Sequence, residues 1–280
     1  MTTFLCVADI HDNWQKLEKI VGFSKGCDAI IDAGDDFDQW LNGNDESAWL
    51  IKHKLPEENR DIINPIRRAQ AIKDCFKIHY LERAVKINEY YKRAGIPVFA
   101  TLGNHDPQFV KNKMTAVKYL VGSTAEFQGL AIAGLPATGE FVNAVLDFCP
   151  EFYPHLRWYD EISCRDGCGR ISEAAKNLLG QSAIDIFVTH KGHKTLFRET
   201  AGTSRLSSSN SIDDYGCDAG AVAINRKFRP LLNVFGHYHL SKPLCEQHGG
   251  QWFVCPGRNS AVKIAIRDKA IVATEALYYT

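Results

Sequence analysis

Short apolar runs alternate along the chain with segments of helical periodicity. The runs are rich in β-branched residues and are mostly followed by polar ones; they occupy residues 4–8, 29–33, 97–101, 130–133, 184–189 and 231–235. Residues 63–94 instead carry apolar side chains near helical spacing, between Asn64-Pro65 and Gly95. Strands that alternate with helices predict an α/β fold.

The last third of the chain predicts consecutive antiparallel strands at residues 251–255, 261–267 and 270–275. The serine-rich stretch 207–211 predicts a loop. Residues 40–58 show no clear period, and with the helical segment they predict a helical cap inserted at about residues 40–94. We expect one domain over residues 1–280.

The charges of the chain balance, with 33 basic residues against 33 acidic residues in a total of 280. Proteins that follow a nucleic-acid backbone usually carry a basic excess, so this balance disfavours a nucleic-acid partner. No apolar run approaches the roughly 20 residues that cross a bilayer. Residues 1–3 also lack the start of a signal peptide. We expect a cytoplasmic protein without a membrane partner.

Nine cysteines are scattered along the chain without paired short spacings. This distribution predicts free thiols in a reducing compartment. The closest pair, Cys164 and Cys168, lacks the second close pair that a zinc site would need. A loop lined by thiols is therefore favoured over a zinc site at these positions.

Candidate metal ligands follow five of the predicted strands. Open α/β sheets bind ligands beyond the carboxyl ends of their strands, so these residues are expected to meet at one edge. Carboxylate, amide and imidazole groups suit Mn²⁺, iron, Zn²⁺ or Ni²⁺. In chain order the polar residues are Asp9, His11, Asp35, Asp38, Asn104, His105, Asp106, His190, His237 and His239.

The motifs that contain these residues differ in specificity. In a chain of this composition Asp-x-His is expected about 0.7 times by chance, and Asp9-x-His11 alone is better explained as a turn at a strand end. Gly-His-x-His is expected about 0.03 times and Gly-Asn-His-Asp about 0.003 times. Their joint presence in one order therefore argues against coincidence.

The ordered set Asp-x-His, Gly-Asp, Gly-Asn-His-Asp, a lone His and Gly-His-x-His resembles the signature of the calcineurin-like metallophosphoesterase superfamily. In this chain the set extends from Asp9 to His239. The resemblance implies a four-layer α/β/β/α sandwich, with two mixed β-sheets flanked by helices. It also implies a cofactor of two divalent metal ions, which would be Mn, Fe, Zn or Ni.

The resemblance assigns ligands to each ion. One ion would be held by Asp9, His11, Asp35 and His239, and the other by Asp35, Asn104, His190 and His237. Asp35 would bridge them, because two ions about 3.5 to 4 Å apart need a shared anion. A metal-bridging hydroxide would then attack phosphorus in line.

Four further residues receive roles outside the ligand set. By the resemblance, His105 assists the departure of the leaving group, and Asp106 orients the His105 imidazole. Asp38 is expected to hydrogen-bond a metal ligand. His193 either reaches the substrate phosphate or is a solvated loop histidine.

The motifs define the reaction better than the substrate. Phosphoprotein phosphatases of the Ser/Thr type typically read Gly-Asp-x-Val-Asp-Arg-Gly and Gly-Asn-His-Glu, whereas here Gln39 and Trp40 follow Asp38 and the fourth residue is Asp106. We expect a phosphodiesterase acting on a small phosphoester. A phosphomonoesterase for a nucleotide, sugar phosphate or phosphoprotein is the alternative, ahead of a nuclease or a catalytically silent scaffold. The sequence leaves the oligomeric state open.

Overall fold

The computed structural model of the chain describes residues 1–37, 65–103, 106–136, 171–191 and 219–279. For residues 65–77, 79, 108 and 219 within these ranges, it describes the backbone alone. The described parts contain twelve strands, four α-helices and a short 3-10 helix. The strands form two sheets of six strands each.

Sheet A contains the first four strands and the last two. These are β1 (Thr2–Val7), β2 (Ala29–Asp32), β3 (Val98–Ala100), β4 (Val117–Tyr119), β11 (Ser260–Arg267) and β12 (Ala270–Tyr278). Their order across the sheet is β12-β11-β1-β2-β3-β4. β1 to β4 run parallel, and β11 and β12 complete the sheet by antiparallel pairing. Sheet A is therefore mixed.

Sheet B contains the middle strands of the chain. These are β5 (Ser123–Phe127), β6 (Leu130–Leu135), β7 (Ile186–Thr189), β8 (Leu232–Val234), β9 (Leu244–His248) and β10 (Gln251–Cys255). Their order is β5-β6-β7-β8-β10-β9. The four central strands are parallel, while β5 and β9 pair antiparallel at the two edges.

The four α-helices are α1 (Trp14–Phe23), α2 (Pro65–Ala94), α3 (Glu173–Leu179) and α4 (Ala219–Phe228). The 3-10 helix spans Gln108–Asn112. Two helices begin at a polar cap that satisfies an otherwise unpaired amide. The Asn13 side chain accepts from Lys16 N at 3.1 Å, and Ser172 Oγ accepts from Ala175 N at 3.2 Å.

The core is divided into layers by the alternation of side chains along each strand. In β1, Leu5 and Val7 belong to the cluster that α1 and α2 pack against, whereas Phe4 and Cys6 face the space between the sheets. On the far side, α3 and α4 pack against sheet B through residues such as Leu178 and Ile224. The result is the predicted four-layer α/β/β/α sandwich.

All nine predicted strands and the predicted helix are present, with boundaries that shift by a few residues. The sequence patterns did not reveal α1, β4, β5, β9, α3 or α4. Residues 251–255, 261–267 and 270–275 are expected from the sequence to form consecutive antiparallel strands. This expectation is wrong for residues 251–255.

The first of these strands, β10, lies in sheet B between β8 and β9, whereas β11 and β12 pair in sheet A. The chain crosses between the sheets after Cys255. Gly257 lies in this connection with φ +76, and an added Cβ would lie 2.6 Å from Leu240 O. A left-handed residue in such close contact requires glycine.

Several predictions fall outside the described residues. These are the irregular stretch 40–58, the serine-rich stretch 207–211 and the pair Cys164 and Cys168. Residues 40–64 of the cap predicted at about 40–94 also lie outside the described ranges, and the single domain and the cap stay predictions. The four cysteines whose side chains are described, Cys6, Cys27, Cys245 and Cys255, are free thiols. In the described ranges no helix combines the length and the apolar character that crossing a membrane requires.

Candidate metal centre

The loops after β1 and β2 are joined directly to each other. The register pairs Val7 with Asp32, so both strands end at the same level. Beyond the strands, Asp9 N donates to Gly34 O at 3.0 Å and His11 N donates to Asp35 O at 2.9 Å. The candidate ligands of these two loops are therefore held side by side.

Sheet B contributes its candidate ligands at the same edge. His190 directly follows β7, and Gly236 N donates to His190 O at 3.0 Å. His237 N donates to Asp9 Oδ1 at 2.9 Å, which links a loop of sheet B to a loop of sheet A. The carboxyl ends of strands from both sheets therefore meet around one point.

Six of the seven predicted ligands form two groups that could each hold a metal ion. One group consists of Asp9, His11, Asp35 and His239, and the other of Asp35, His190 and His237. In each group the ligand atoms lie within 4.8 Å of one another. Asp35 belongs to both groups, as a bridging ligand must.

His190 lies on the buried side of the centre, where it is fully shielded from solvent. Its Nδ1 donates to Ala33 O at 2.8 Å, which turns Nε2 toward Asp35 Oδ2 at 3.0 Å. Burial lowers the pKa of His190, but Asp35 and Asp9 raise it more, to about 9. Without metal, a proton on His190 Nε2 therefore lies between this nitrogen and Asp35 Oδ2, whose lone pairs would otherwise face each other.

His11 and His239 lie on the more open side. Their Nε2 atoms are 2.9 Å apart, and His11 Nδ1 is 3.2 Å from Phe37 O. Because a carbonyl oxygen only accepts, Nδ1 carries the proton and leaves the Nε2 lone pair facing the centre. The His239 side chain is 41% exposed, so the centre is accessible from this side within the described structure.

His237 is neutral over the whole physiological range. Burial, with the charge of His190 as the next cause, lowers the pKa of His237 to about 3. Burial also lowers the pKa of His239. Neutral imidazole is the form of histidine that binds metal ions.

One buried carboxylate oxygen shows that the residues fit a cation. Asp9 is fully buried, and its Oδ2 has no hydrogen-bond partner among the described atoms. A buried charged oxygen without a donor is costly in free energy. A divalent ion held by this group would satisfy the oxygen, since hard carboxylate oxygens and imidazole nitrogens are suitable donors for such ions.

The backbone is unusual at most of these residues. Positive φ angles occur at Asp9 (54°), His11 (51°), Asp35 (61°), His237 (71°) and His239 (44°). Left-handed backbone is uncommon outside glycine, although Asp and His adopt it more readily than most residues. Such strain persists only where the surrounding structure enforces it, and it concentrates at functional sites.

Two glycines allow the loops of β2 and β3 to touch. Gly34 has φ +87, and an added Cβ would lie 2.3 Å from Gly103 N. A Cβ added at Gly103 would lie 2.1 Å from Asp35 Oδ1. Both positions therefore require glycine, because any side chain would displace the neighbouring loop or the Asp35 carboxylate.

Asp106 organises these same loops through its buried carboxylate. Oδ2 accepts from Asp35 N and from Gly103 N, each at 2.7 Å, and Oδ1 accepts from Phe37 N at 3.3 Å. Burial, together with the nearby charge of Asp35, raises the pKa of Asp106 to about 7. The predicted contact with His105 involves a residue outside the described ranges.

A second acidic cluster, which the sequence patterns did not reveal, lies behind Asp35. Asp32 and Asp36 are buried, and the Tyr91 hydroxyl from α2 bonds to both of them. Burial raises the pKa of Asp36 well above its usual range, and the charge of Asp32 raises it further. An acidic residue that ends the apolar strand β2 was the available signal for this cluster.

Lys16 is another buried residue that the motifs did not indicate. Its Nζ donates to Asp9 O at 2.8 Å, which ties α1 to the left-handed backbone of Asp9. Burial lowers the pKa of Lys16 to about 8. The remaining predicted site residues, Asp38, Asn104, His105 and His193, lie outside the described ranges, and their roles stay predictions.

Two sheets direct clustered Asp and His side chains to one edge, around a shared carboxylate, an arrangement suited to a metal-dependent enzyme. A family model for calcineurin-like phosphoesterases matches residues 2–254. The chain therefore belongs to the calcineurin-like phosphoesterase family.

Solved structures show the same fold at low sequence identity. One crystal structure aligns with 99% of this chain and 99% of its own, with a TM-score of 0.58 and 15% identity. The protein TT1561 of Thermus thermophilus aligns over 100% of this chain and 99% of its own, with a TM-score of 0.56 and 13% identity. No curated protein sequence matches the chain. At these identities the structural likeness shows the fold alone.

Proposed function

We propose that the protein is a binuclear metal-dependent phosphoester hydrolase whose substrates are small phosphodiesters. The observation that carries this proposal is the pair of Asp and His groups that share Asp35. When bound, two divalent ions would polarise the phosphoryl group and lower the pKa of a water molecule. The family membership supports the same reaction class.

The residues of this chain would bind the metal ions and transfer a proton to the leaving group. Asp9, Asp35 and the four histidines would bind the ions, with Asn104 as the seventh ligand. His105 would protonate the leaving oxygen, a role that contributes roughly a hundredfold or more in rate. The exposed side of His239 provides the direction from which substrate approaches.

The choice of diester over monoester rests on the motif departures at Gln39, Trp40 and Asp106, which differ from the pattern of phosphoprotein phosphatases. The formal charge of zero supports a small substrate rather than a nucleic acid. Phosphomonoester hydrolysis is the second candidate, because the same two-metal chemistry serves both ester types.

The test compares a chromogenic phosphodiester with its matching monoester. Metal-stripped protein is reconstituted with Mn²⁺, iron, Zn²⁺ or Ni²⁺, and the His105→Ala variant is assayed in parallel. We expect metal-dependent cleavage of the diester that falls at least a hundredfold in the variant. Preference for the monoester would replace the leading candidate by the second, and a chain that binds no metal would indicate a scaffold.

A further inference from the structure

Two polar side chains of α2 contact the loops that carry candidate metal ligands. Arg83 Nε donates to Asp12 Oδ2 at 2.7 Å. The Tyr91 hydroxyl bonds to Asp32 and lies 3.1 Å from Asp36 Oδ1. Asp12 directly follows His11, and Asp36 directly follows Asp35. Both side chains of α2 therefore end one residue away from a candidate ligand.

The two contacted loops also form a single unit. Asp12 N donates to Asp36 O at 2.9 Å, so the residues that Arg83 and Tyr91 contact are themselves joined. Asp12 has a left-handed backbone, with φ 52°. A strained loop keeps such a conformation only when its surroundings enforce it. The contacts that Arg83 and Tyr91 make from α2 help to hold this loop pair in place.

Packing alone does not explain why these groups are polar. Asp32 and Asp36 are 0% and 1% exposed, and the Tyr91 side chain belongs to the apolar cluster between α2 and sheet A. Burying two carboxyl groups is costly in free energy unless they are hydrogen-bonded. A phenylalanine facing two apolar residues would fill the same layer without that cost. The polar groups therefore point to a task beyond filling the core.

We propose that Tyr91 and Arg83 are positioning residues, through which α2 holds Asp35 and His11 in the arrangement that binds two metal ions. This inference rests on the proposed metal centre. Neither residue is assigned contact with substrate. Their effect on the reaction passes through the separation and orientation of the two ligands, as is typical of residues that support the ligands of a metal site.

The first test is the Tyr91→Phe variant, which removes one hydroxyl and keeps the ring. Mn²⁺ is titrated into the metal-stripped full chain by calorimetry, and the electron paramagnetic resonance spectrum is recorded. We expect the affinity for Mn²⁺ to fall about 10- to 100-fold. The spectrum should change from that of a coupled pair toward that of isolated ions.

The matched control is Tyr279→Phe. The Tyr279 hydroxyl is buried and has no hydrogen-bond partner among the described atoms. Tyr279 packs against the same cluster as Tyr91. This variant should bind Mn²⁺ with wild-type affinity.

The second test is Arg83→Gln, which does not depend on the folding of Tyr91→Phe. The Arg83 side chain is 30% exposed, so its replacement leaves no buried cavity. Arg93→Gln is its control, because Arg93 lies on the same helix and pairs with Glu18 of α1 at the surface. We expect about a tenfold loss of Mn²⁺ affinity for Arg83→Gln and no loss for Arg93→Gln.

The outcomes separate this inference from the proposed function. Wild-type Mn²⁺ affinity in both Tyr91→Phe and Arg83→Gln would overturn the positioning role, even if their melting temperatures fall. A wild-type chain that binds two Mn²⁺ ions but hydrolyses no phosphoester would overturn the proposed function and leave the positioning role intact. A wild-type chain without Mn²⁺ binding would overturn both.

Discussion

At the scale of single residues, the candidate centre concentrates oxygen and nitrogen atoms that can bind metal ions. Asp9 Oδ2 has no donor in the described structure, and His190 Nε2 faces Asp35 Oδ2 at 3.0 Å. The Nε2 atoms of His11 and His239 face each other at 2.9 Å. Protons satisfy some of these atoms in the metal-free protein, whereas two divalent ions would satisfy all of them.

The raised pKa of His190 predicts how stability depends on pH. The value of about 9 in the folded protein lies above the ordinary value of 6.5. The folded state therefore holds this proton more tightly than the unfolded state, and the resulting stability is present below pH 6.5 and lost as pH rises through 9. We expect the melting temperature of metal-stripped protein to fall over this interval.

Metal-loaded protein and the His190→Gln variant are the comparisons for this measurement. Bound metal replaces the proton, so the loaded protein should lose less stability between pH 6.5 and 9. The metal-stripped variant should show a flatter profile, because its amide does not titrate. A wild-type profile that is already flat in this interval would contradict the assignment.

The Asp106 carboxylate has two possible roles, which the Asp106→Asn variant distinguishes. The sequence motif predicts that it orients His105, whereas its described contacts hold the amides of Asp35, Gly103 and Phe37. In Asp106→Asn an NH₂ group would face at least one of these N–H donors, which leaves hydrogen bonds unmade. If the loop contacts matter to metal binding, the metal affinity should fall about 10- to 100-fold.

Calorimetric titration with Mn²⁺, combined with kcat, distinguishes the two roles. A variant that binds both ions normally but has a lower kcat would support the His105 role alone. A loss of metal affinity would show that Asp106 acts on the loop that carries Asp35. The two results are separable because binding is measured without substrate.

At the scale of elements, the loops after β2 and β3 are packed so closely that glycine is required. A Cβ at Gly103 would lie 2.1 Å from Asp35 Oδ1. We predict that Gly103→Ala destabilises the protein by about 1 to 3 kcal/mol, because overpacking forces its neighbours to shift. The variant should also lose metal affinity, since the atom that must move belongs to the shared ligand.

Gly22→Ala is the matched control for this prediction. Gly22 lies in α1, and nothing lies within 4 Å of a Cβ added there. Alanine in a helix should stabilise the protein by about 0.5 to 1 kcal/mol relative to glycine. Chemical denaturation of both variants gives the comparison; equal effects of the two substitutions would contradict the close packing at Gly103.

The elements that sequence predicted are those with strong local patterns. The parallel strands β1, β2 and β7 each contain an uninterrupted apolar run, such as residues 4–7 in β1, as expected for strands buried on both faces. The missed elements carry weaker signals: β5 is exposed at two of its five positions, and α3 has seven residues. The place of β10 in sheet B depends on a chain crossing that no local pattern encodes.

At the scale of the whole molecule, the centre exists because two sheets end at the same edge. Asp9 and Asp35 come from sheet A, whereas His190, His237 and His239 come from sheet B. Sequence motifs identified these residues because their spacing is local to each strand end. The contacts of Tyr91 and Lys16 were not predictable, because they depend on how α2 and α1 pack over sheet A.

The central claim is that two metal ions share Asp35, and metal stoichiometry tests it most directly. We predict that the wild-type chain binds about two Mn²⁺ ions per chain. His239→Ala should keep one tightly bound ion, because His239 belongs to one group alone, whereas Asp35→Asn should weaken both. Two ions bound with wild-type affinity by Asp35→Asn, or no binding by the wild-type chain, would contradict the shared centre.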